Sequence, residues 1–355
     1  MKEKQFQTTA QPALSLFTEL LAVPSPCGRE ERLAQIVRHK LDGWGYAHQT
    51  DGAGNVIVRL QGRQPDAPLC CLAAHMDEIG LVVTAIEADG ALRVDRSGGL
   101  YPWKLGEGPV EIVGDGENIV GVLSMGSTHT AGAQDRAITW ADVRVITGRS
   151  PEQLQAAGVR PGSTAVPIRE RRGPALLGDA ADPLVAAWTF DDRMGVVALL
   201  RLLEAMKRES ALPYHPTIVA FTVHEEGGCH GAKVLAQREQ PETFIAIDGC
   251  PMPPGVPLKL DGRPGVWSKD RLTHFDQRLV RAFCRAGQEA GVEVQPVVYD
   301  NAASDASAVY AVGGAPRVAT FGHVRENSHG YEVARLSVFD NVLKVLLQFV
   351  STWQE

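Results

Sequence analysis

The chain has 355 residues, of which 44% are hydrophobic and 22% charged. That balance describes a folded globular protein of about two domains and excludes disordered or collagen-like chains. The formal net charge is -7, with no run of five or six like charges, so no positive field would draw nucleic acid or an anionic membrane.

Met1–Thr9 lacks the apolar core of a signal peptide. The longest apolar runs, such as Leu69–Ala74 and Ile218–Val223, are too short to span a bilayer. Six cysteines without a Cys-x-x-Cys spacing read as reduced thiols of a cytoplasmic protein. Residues 12–22 and 29–43 carry apolar positions at helical spacing, Leu33, Ile36, Val37 and Leu41 among them. Leu69–Ala74, ending at His75, is a continuous apolar run of the kind that forms a strand buried on both faces.

From residue 81 the pattern changes. Gly80–Ile86 and Ala91–Val94 flank Asp89-Gly90, and Val110–Val113 and Ile119–Leu123 flank Asp115-Gly116. Asp-Gly between short apolar strands predicts a hairpin, because glycine accepts positive φ. Residues 81–178 therefore read as a β-rich domain inserted into a larger α/β unit made of 1–80 and 179–355, with the stretch Arg169–Pro174 near its exit. After Asp191-Asp192 a helix is predicted with one buried stripe through Met194, Val197, Leu200, Leu203 and Met206. Pro216–Val223 is a second buried strand, ending at His224-Glu225-Glu226, and Phe244–Ile247 a third, ending at Asp248. Residues 275–290 and 335–350 read as amphipathic helices.

The chemistry stands at the strand ends. In open α/β sheets ligands bind beyond the carboxyl ends of strands, so His75, Asp77, Glu225, Glu226 and Asp248 are expected on one rim. Two divalent cations about 3.5–4 Å apart need a bridging carboxylate and terminal nitrogen or oxygen donors. His75, Asp191, Glu226, Asp248 and His329 supply two imidazoles and three carboxylates, a donor set that suits zinc, cobalt or manganese. Asp77, two residues after His75, is placed to accept the second ring N–H of that imidazole. Glu225 remains free to take a proton from a water acidified by the metals. Alone, each has a plainer reading: a core histidine, a helix cap at Asp191-Asp192, a solvated Glu pair. Asp305 is read as orienting a nearby loop, and Cys229, Cys250, His129, His224 and His230 as packed or structural residues.

The segments Ala74-His75-Met-Asp77-Glu78-Ile-Gly80, Phe190-Asp191-Asp192-Arg193-Met-Gly195, His224-Glu225-Glu226-Gly-Gly-Cys-His-Gly231, Ala246-Ile-Asp248 and Ala303-Ser-Asp305-Ala306 resemble the M42 metallopeptidases, the glutamyl or deblocking aminopeptidase group. The resemblance implies a zinc-exopeptidase-like mixed sheet covered by helices. It implies an aminopeptidase acting on oligopeptides through a hydroxide bridging two metals, zinc first and cobalt or manganese as alternatives. Asp191 would bridge and be followed by an unusual peptide bond to Asp192. Glu226 and His329 would complete one metal site, His75 and Asp248 the other. Asp77 would orient His75, and Glu225 would be the base. It also implies a homo-oligomer, often a dodecamer, with the β domain making subunit contacts.

The family places its last histidine in an Arg-Tyr-x-His-Ser-Pro segment, whereas this chain reads Arg325-Glu-Asn-Ser-His329-Gly-Tyr-Glu332, with His323 as the alternative ligand. Gly249 and the Ser124–Asp135 loop also depart from the family pattern. A related dinuclear deacylase or carboxypeptidase, and an inactive metal-binding peptide scaffold, are the competing readings. The preferred amino-terminal residue is not legible; Arg263, Lys269 and Arg271 would suit an acidic side chain but read equally as solvated loop charges.

Overall fold

Apolar runs with no polar alternation need cover on both faces, and here they have it. In the computed structural model, which describes residues 10–129 and 136–354, the strands Cys70–His75, Thr217–Thr222 and Thr243–Ile247 are buried at every position. The segment Met1–Thr9 and residues 130–135 of the Ser124–Asp135 loop lie outside the described residues. With Arg317–Gly322 the three strands form four consecutive parallel neighbours at the centre of a mixed eight-stranded sheet. Val56–Leu60 and His48–Thr50 extend it on one side, Gly265–Lys269 and Gln295–Val298 on the other. Burying each Leu, Val or Phe side chain of this core contributes about 1.5–3 kcal/mol.

The predicted helices span Gln11–Leu21, Glu31–Gly43, Gln277–Glu289 and Ser337–Thr352. The helix Phe190–Arg208 differs from its expected single stripe, because every residue from Phe190 to Leu200 is buried. One side packs on the strands Cys70–His75 and Thr243–Ile247, and helices Gln11–Leu21 and Ser337–Thr352 pack against the rest. Up to Leu200 the helix has no solvent face for polar residues to mark, whereas beyond it Glu204, Lys207 and Arg208 are exposed opposite the buried Leu203 and Met206.

Strands between Gly80 and Pro167 close into a six-stranded barrel, which leaves no free edge. Alternate residues, Leu81, Val83, Leu92, Val94, Val110, Ile112 and Ile119 among them, fill its own apolar core. Both expected hairpins form, but by different means. Gly90 takes φ +79°, as a tight turn requires. At Asp115-Gly116 no positive φ occurs; the amides of Gly116 and Glu117 instead donate to the Ala157 carbonyl, each at 3.1 Å. The turn is held by tertiary contact, and an added Cβ at Gly116 would lie 3.2 Å from that oxygen.

One buried carboxylate pins the two chain crossings between barrel and sheet. Glu78 Oε1 accepts the Ser25 amide at 2.8 Å and guanidinium N–H bonds from Arg172 and Arg193 at 3.1 Å, while Oε2 accepts Trp188 Nε1–H at 3.1 Å. Removing one partner of such a buried pair typically costs 3–5 kcal/mol, because a charge is left uncompensated. All six cysteines are free thiols, and among the described residues no helix is long and apolar enough to cross a membrane.

Candidate metal centre

The parallel strands deliver their chemistry to one rim. His75 closes Cys70–His75, Asp248 follows Thr243–Ile247, and Glu225 and Glu226 follow Thr217–Thr222 after a turn in which His224 takes φ +57°. Asp191 arrives from the start of the central helix, where its own backbone and that of Asp192 are non-helical and the peptide between them is cis.

The two oxygens of Asp191 face two different histidines. Oδ1 lies 3.1 Å from His75 Nε2, and Oδ2 lies 3.5 Å from His329 Nε2. Donor atoms of His75, Asp191 and Asp248 lie within 4.8 Å of one another, and so do those of Asp191, Glu226 and His329. Asp191 is common to both groups.

His329 approaches in the left-handed region, at φ +56°, and its Nδ1 lies 2.9 Å from the Gly99 carbonyl. Gly98 and Gly99, from the barrel side, allow this approach; a Cβ on Gly98 would lie 2.9 Å from Glu226 Oε2, and one on Gly99 2.6 Å from His329 Nδ1. His323, the alternative, is fully buried against the Phe190 ring and belongs to neither donor group.

Asp77 borders His75 and also holds the neighbouring turn. Its carboxylate accepts the backbone N–H of Glu225 at 2.9 Å and of Glu226 at 3.0 Å, one on each oxygen. His75 Nδ1 is nearer the Asp77 backbone carbonyl, 3.1 Å, than its carboxylate, 3.5 Å. Asp77 thus fixes the Glu225-Glu226 turn and borders His75, a geometry set by a contact across 148 residues.

Two partners escaped sequence reasoning. Arg325 donates to Asp191 Oδ2 and, at 2.7 Å, to Glu332 Oε1. Glu332 also accepts the His329 amide at 3.1 Å and the Asp191 amide at 3.0 Å, so one carboxylate holds three members of the site. The only sequence signal was that both charged residues flank His329. Gly249 is explained here, because a Cβ there would strike the Arg325 guanidinium.

Crowding sets the electrostatics. Burial, then repulsion by Asp191, raises Glu226 and Asp248 to about 7. Burial first, then Glu226, Asp305 and Asp248, pushes Glu225 well above the usual carboxylate range. Burial disfavours the charge on Asp191, but Arg325, His329 and His75 outweigh it and hold this carboxyl well below that range. Burial also opposes the charge on His329, yet Glu226 and Asp191 lift it to about 10. Asp192 Oδ2 is buried without a hydrogen-bond partner. So many carboxylates at one rim, with imidazole nitrogens aimed among them, fit divalent cations, which would relieve the repulsion. The Cys229 thiol, 3.4 Å from Glu225 Oε1, and Asp305, which accepts Thr222 Oγ1–H at 2.7 Å, border the base.

A cavity of about 920 Å³ opens over Asp191, Glu225, Glu226, Asp248 and His329. Tyr101 and Trp103, stacked at 5.8 Å, border it from the barrel side. The wall that continues from Asp248 carries Pro251, Met252, Val256, Trp267 and Tyr299. None of Arg263, Lys269 and Arg271 lines it.

A profile of the M42 glutamyl aminopeptidase family matches residues 54–345. The glutamyl aminopeptidase of Lactococcus lactis subsp. cremoris is 29% identical over 65% of this chain and 65% of its own length. The lysyl aminopeptidase of Pyrococcus furiosus is 33% identical over 56% of this chain and 55% of its own. Both alignments span less than two thirds of the relative. The structure of the Pyrococcus horikoshii TET1 peptidase, described as assembling into a tetrahedron or a large octahedral shell, superposes with a TM-score of 0.84 at 25% identity, covering 96% of this chain and 99% of that one.

Proposed function

Because the chain belongs to the M42 glutamyl aminopeptidase family, we propose that it hydrolyses the amino-terminal peptide bond of oligopeptides at a centre of two divalent metal ions. The observation that carries this reading is the placement of Asp191, whose two carboxylate oxygens serve two separate donor groups. His75, Asp191 and Asp248 would hold one ion, and Asp191, Glu226 and His329 the other, zinc first and cobalt or manganese as alternatives. When bound, the ions polarise the scissile carbonyl and acidify the attacking water.

Glu225 is the proton carrier. Its carboxylate faces the cavity while its backbone is tied to Asp77, so it takes the water proton and returns it to the leaving amine. Carrying one proton in and out leaves Glu225 unchanged after each turnover. Residues 1–80 and 179–355 form the catalytic unit of this reading, and 81–178 the assembly unit. The free thiols fit a reducing cytoplasmic compartment.

The relatives named for glutamyl and lysyl substrates differ in preference, so the pocket itself must decide. Met252, Val256, Trp267 and Tyr299 make the wall beyond Asp248 apolar. Arg263 pairs with Asp261 and Glu293, and Lys269 with Asp300; Lys104, on the opposite border, already donates to Asn327 at 2.5 Å. A large apolar amino-terminal residue is therefore the expected substrate. A methylene in such a pocket contributes about 1–3 kcal/mol, so Leu-, Met- and Phe-nitroanilides should exceed Ala by at least about tenfold in kcat/KM and Glu by more. A panel led by Glu or Lys would overturn this preference. Release of acyl groups or carboxy-terminal residues, with no aminoacyl substrate cleaved, would replace the aminopeptidase itself.

The barrel presents Val120, Val122 and Ile146 to solvent, with Val122 and Ile146 paired across two strands. Exposed apolar rows of this kind mark association surfaces, and with the TET1 likeness they support a homo-oligomer, a dodecamer by analogy. Light scattering is expected to give a multiple of the 38.2 kDa chain mass; a monomeric mass rules the assembly out.

A further inference from the structure

We infer that Cys27, Glu30 and His224 form a third metal site, distinct from the two built on Asp191, that takes a divalent ion of the zinc class. Cys27 and Glu30 lie in the turn between helices Gln11–Leu21 and Glu31–Gly43, and His224 lies at the end of the strand Thr217–Thr222. Folding brings them together across 197 residues, with Cys27 Sγ 3.1 Å from His224 Nδ1. One donor atom from each of the three residues lies within 4.8 Å of the other two.

The separations suit an ion. Zinc–sulfur and zinc–imidazole bonds in tetrahedral geometry place sulfur and nitrogen roughly 3.5 Å apart, a few tenths more than observed. Thiolate, imidazole and carboxylate together favour zinc or cobalt over calcium or magnesium. Glu30 is held in place: its Oε1 accepts the Gly28 amide at 2.9 Å and the His224 amide at 3.2 Å, and its residue is 5% exposed. Cys27 and His224 are half-buried, so an ion can enter from solvent and keep a water as its fourth ligand.

The surroundings are negative. Burial first, then Asp77, Glu30 and Glu226, pushes the Cys27 thiol up to about 12, so the thiol is protonated until a cation, drawn to the same negative field, displaces the proton. Binding displaces the Cys27 S–H proton to solvent, leaving a thiolate on the metal. His224 directly precedes Glu225-Glu226, so an ion here would brace the turn that carries the proposed base.

The probe is cobalt(II), added in excess to the full-length protein after chelator treatment. The sites on Asp191 offer only imidazole and carboxylate donors, so thiolate-to-cobalt charge-transfer absorption in the near ultraviolet reports a cysteine ligand. The wild-type protein is expected to show the band and to bind a third equivalent. Cys27→Ser should lose the band and that equivalent while keeping the other two, with its far-ultraviolet circular dichroism unchanged. Cys229→Ser, the thiol beside Glu225, should retain the band. His224→Gln keeps the thiol and should weaken cobalt binding at this site at least about tenfold, the cost of losing roughly 1.4 kcal/mol of ligand contribution. Absence of the band in wild type overturns the site, as does a band that survives Cys27→Ser or disappears in Cys229→Ser alone.

Discussion

Glu225→Gln is expected to lower kcat by roughly 10³-fold, the middle of the range for losing a general base, while the metal content stays at the wild-type level. Glutamine keeps the size and hydrogen bonding of the side chain but cannot accept a proton at neutral pH. The backbone N–H that ties residue 225 to Asp77 is unaffected, so the turn should persist. Glu225 also belongs to neither donor group built on Asp191, which is why metal should remain. Burial first, then the neighbouring Glu226, Asp305 and Asp248, raises its proton affinity, the direction a base needs to hold a proton between attack and departure. Steady-state kinetics on a cleaved nitroanilide, paired with elemental analysis of the same sample, separates the two effects. A variant with wild-type kcat would remove Glu225 from the mechanism.

Asp191→Ala should lose both ions of the centre built on Asp191 and fall below detectable turnover. Deleting one carboxylate removes a donor from each group at once, because both groups share it, and leaves Glu226 and Asp248 with one fewer ligand to organise the ions they would hold. Arg325, 2% exposed, would keep only Glu332 as its charged partner. Stripping one partner from a buried ion pair costs about 3–5 kcal/mol, so a lowered Tm should accompany the loss of metal. The contrast with Glu225→Gln is the informative part, one variant loaded at the two sites on Asp191 but slow, the other empty at both. Retention of two ions per chain by Asp191→Ala would break the bridging assignment.

Four of the candidate donors, His75, Asp191, Glu226 and Asp248, were legible because they stand just past an apolar run or at a helix start, where local pattern and residue type coincide. His75 follows Cys70–Ala74, and Asp248 follows Phe244–Ile247. His329 was harder to place. Its segment departs from the family spacing, and only a left-handed backbone at Asn327 and His329 turns the imidazole toward Asp191 and Glu226. Glu332 and Arg325 carried no signal beyond charge, since a charged residue near a loop is ordinarily solvated. Here both are buried, bonded to each other and to Asp191.

Composition and periodicity by themselves determined that the chain is α/β, that its central strands are buried on both faces, and that a β-rich segment interrupts them after Gly80. Those properties follow from side-chain order within a few residues, where strand and helix spacing are decided. Only the tertiary structure decided that six strands close into a barrel, that the central helix is wrapped on all sides from Phe190 to Leu200, and that Glu78 joins Arg172 to Arg193. It alone decided that Asp77 holds the Glu225 and Glu226 amides and that Cys27 meets His224. Each of these depends on which distant surfaces pack together, and that choice is made by the summed burial of the whole core, which no local stretch of residues contains.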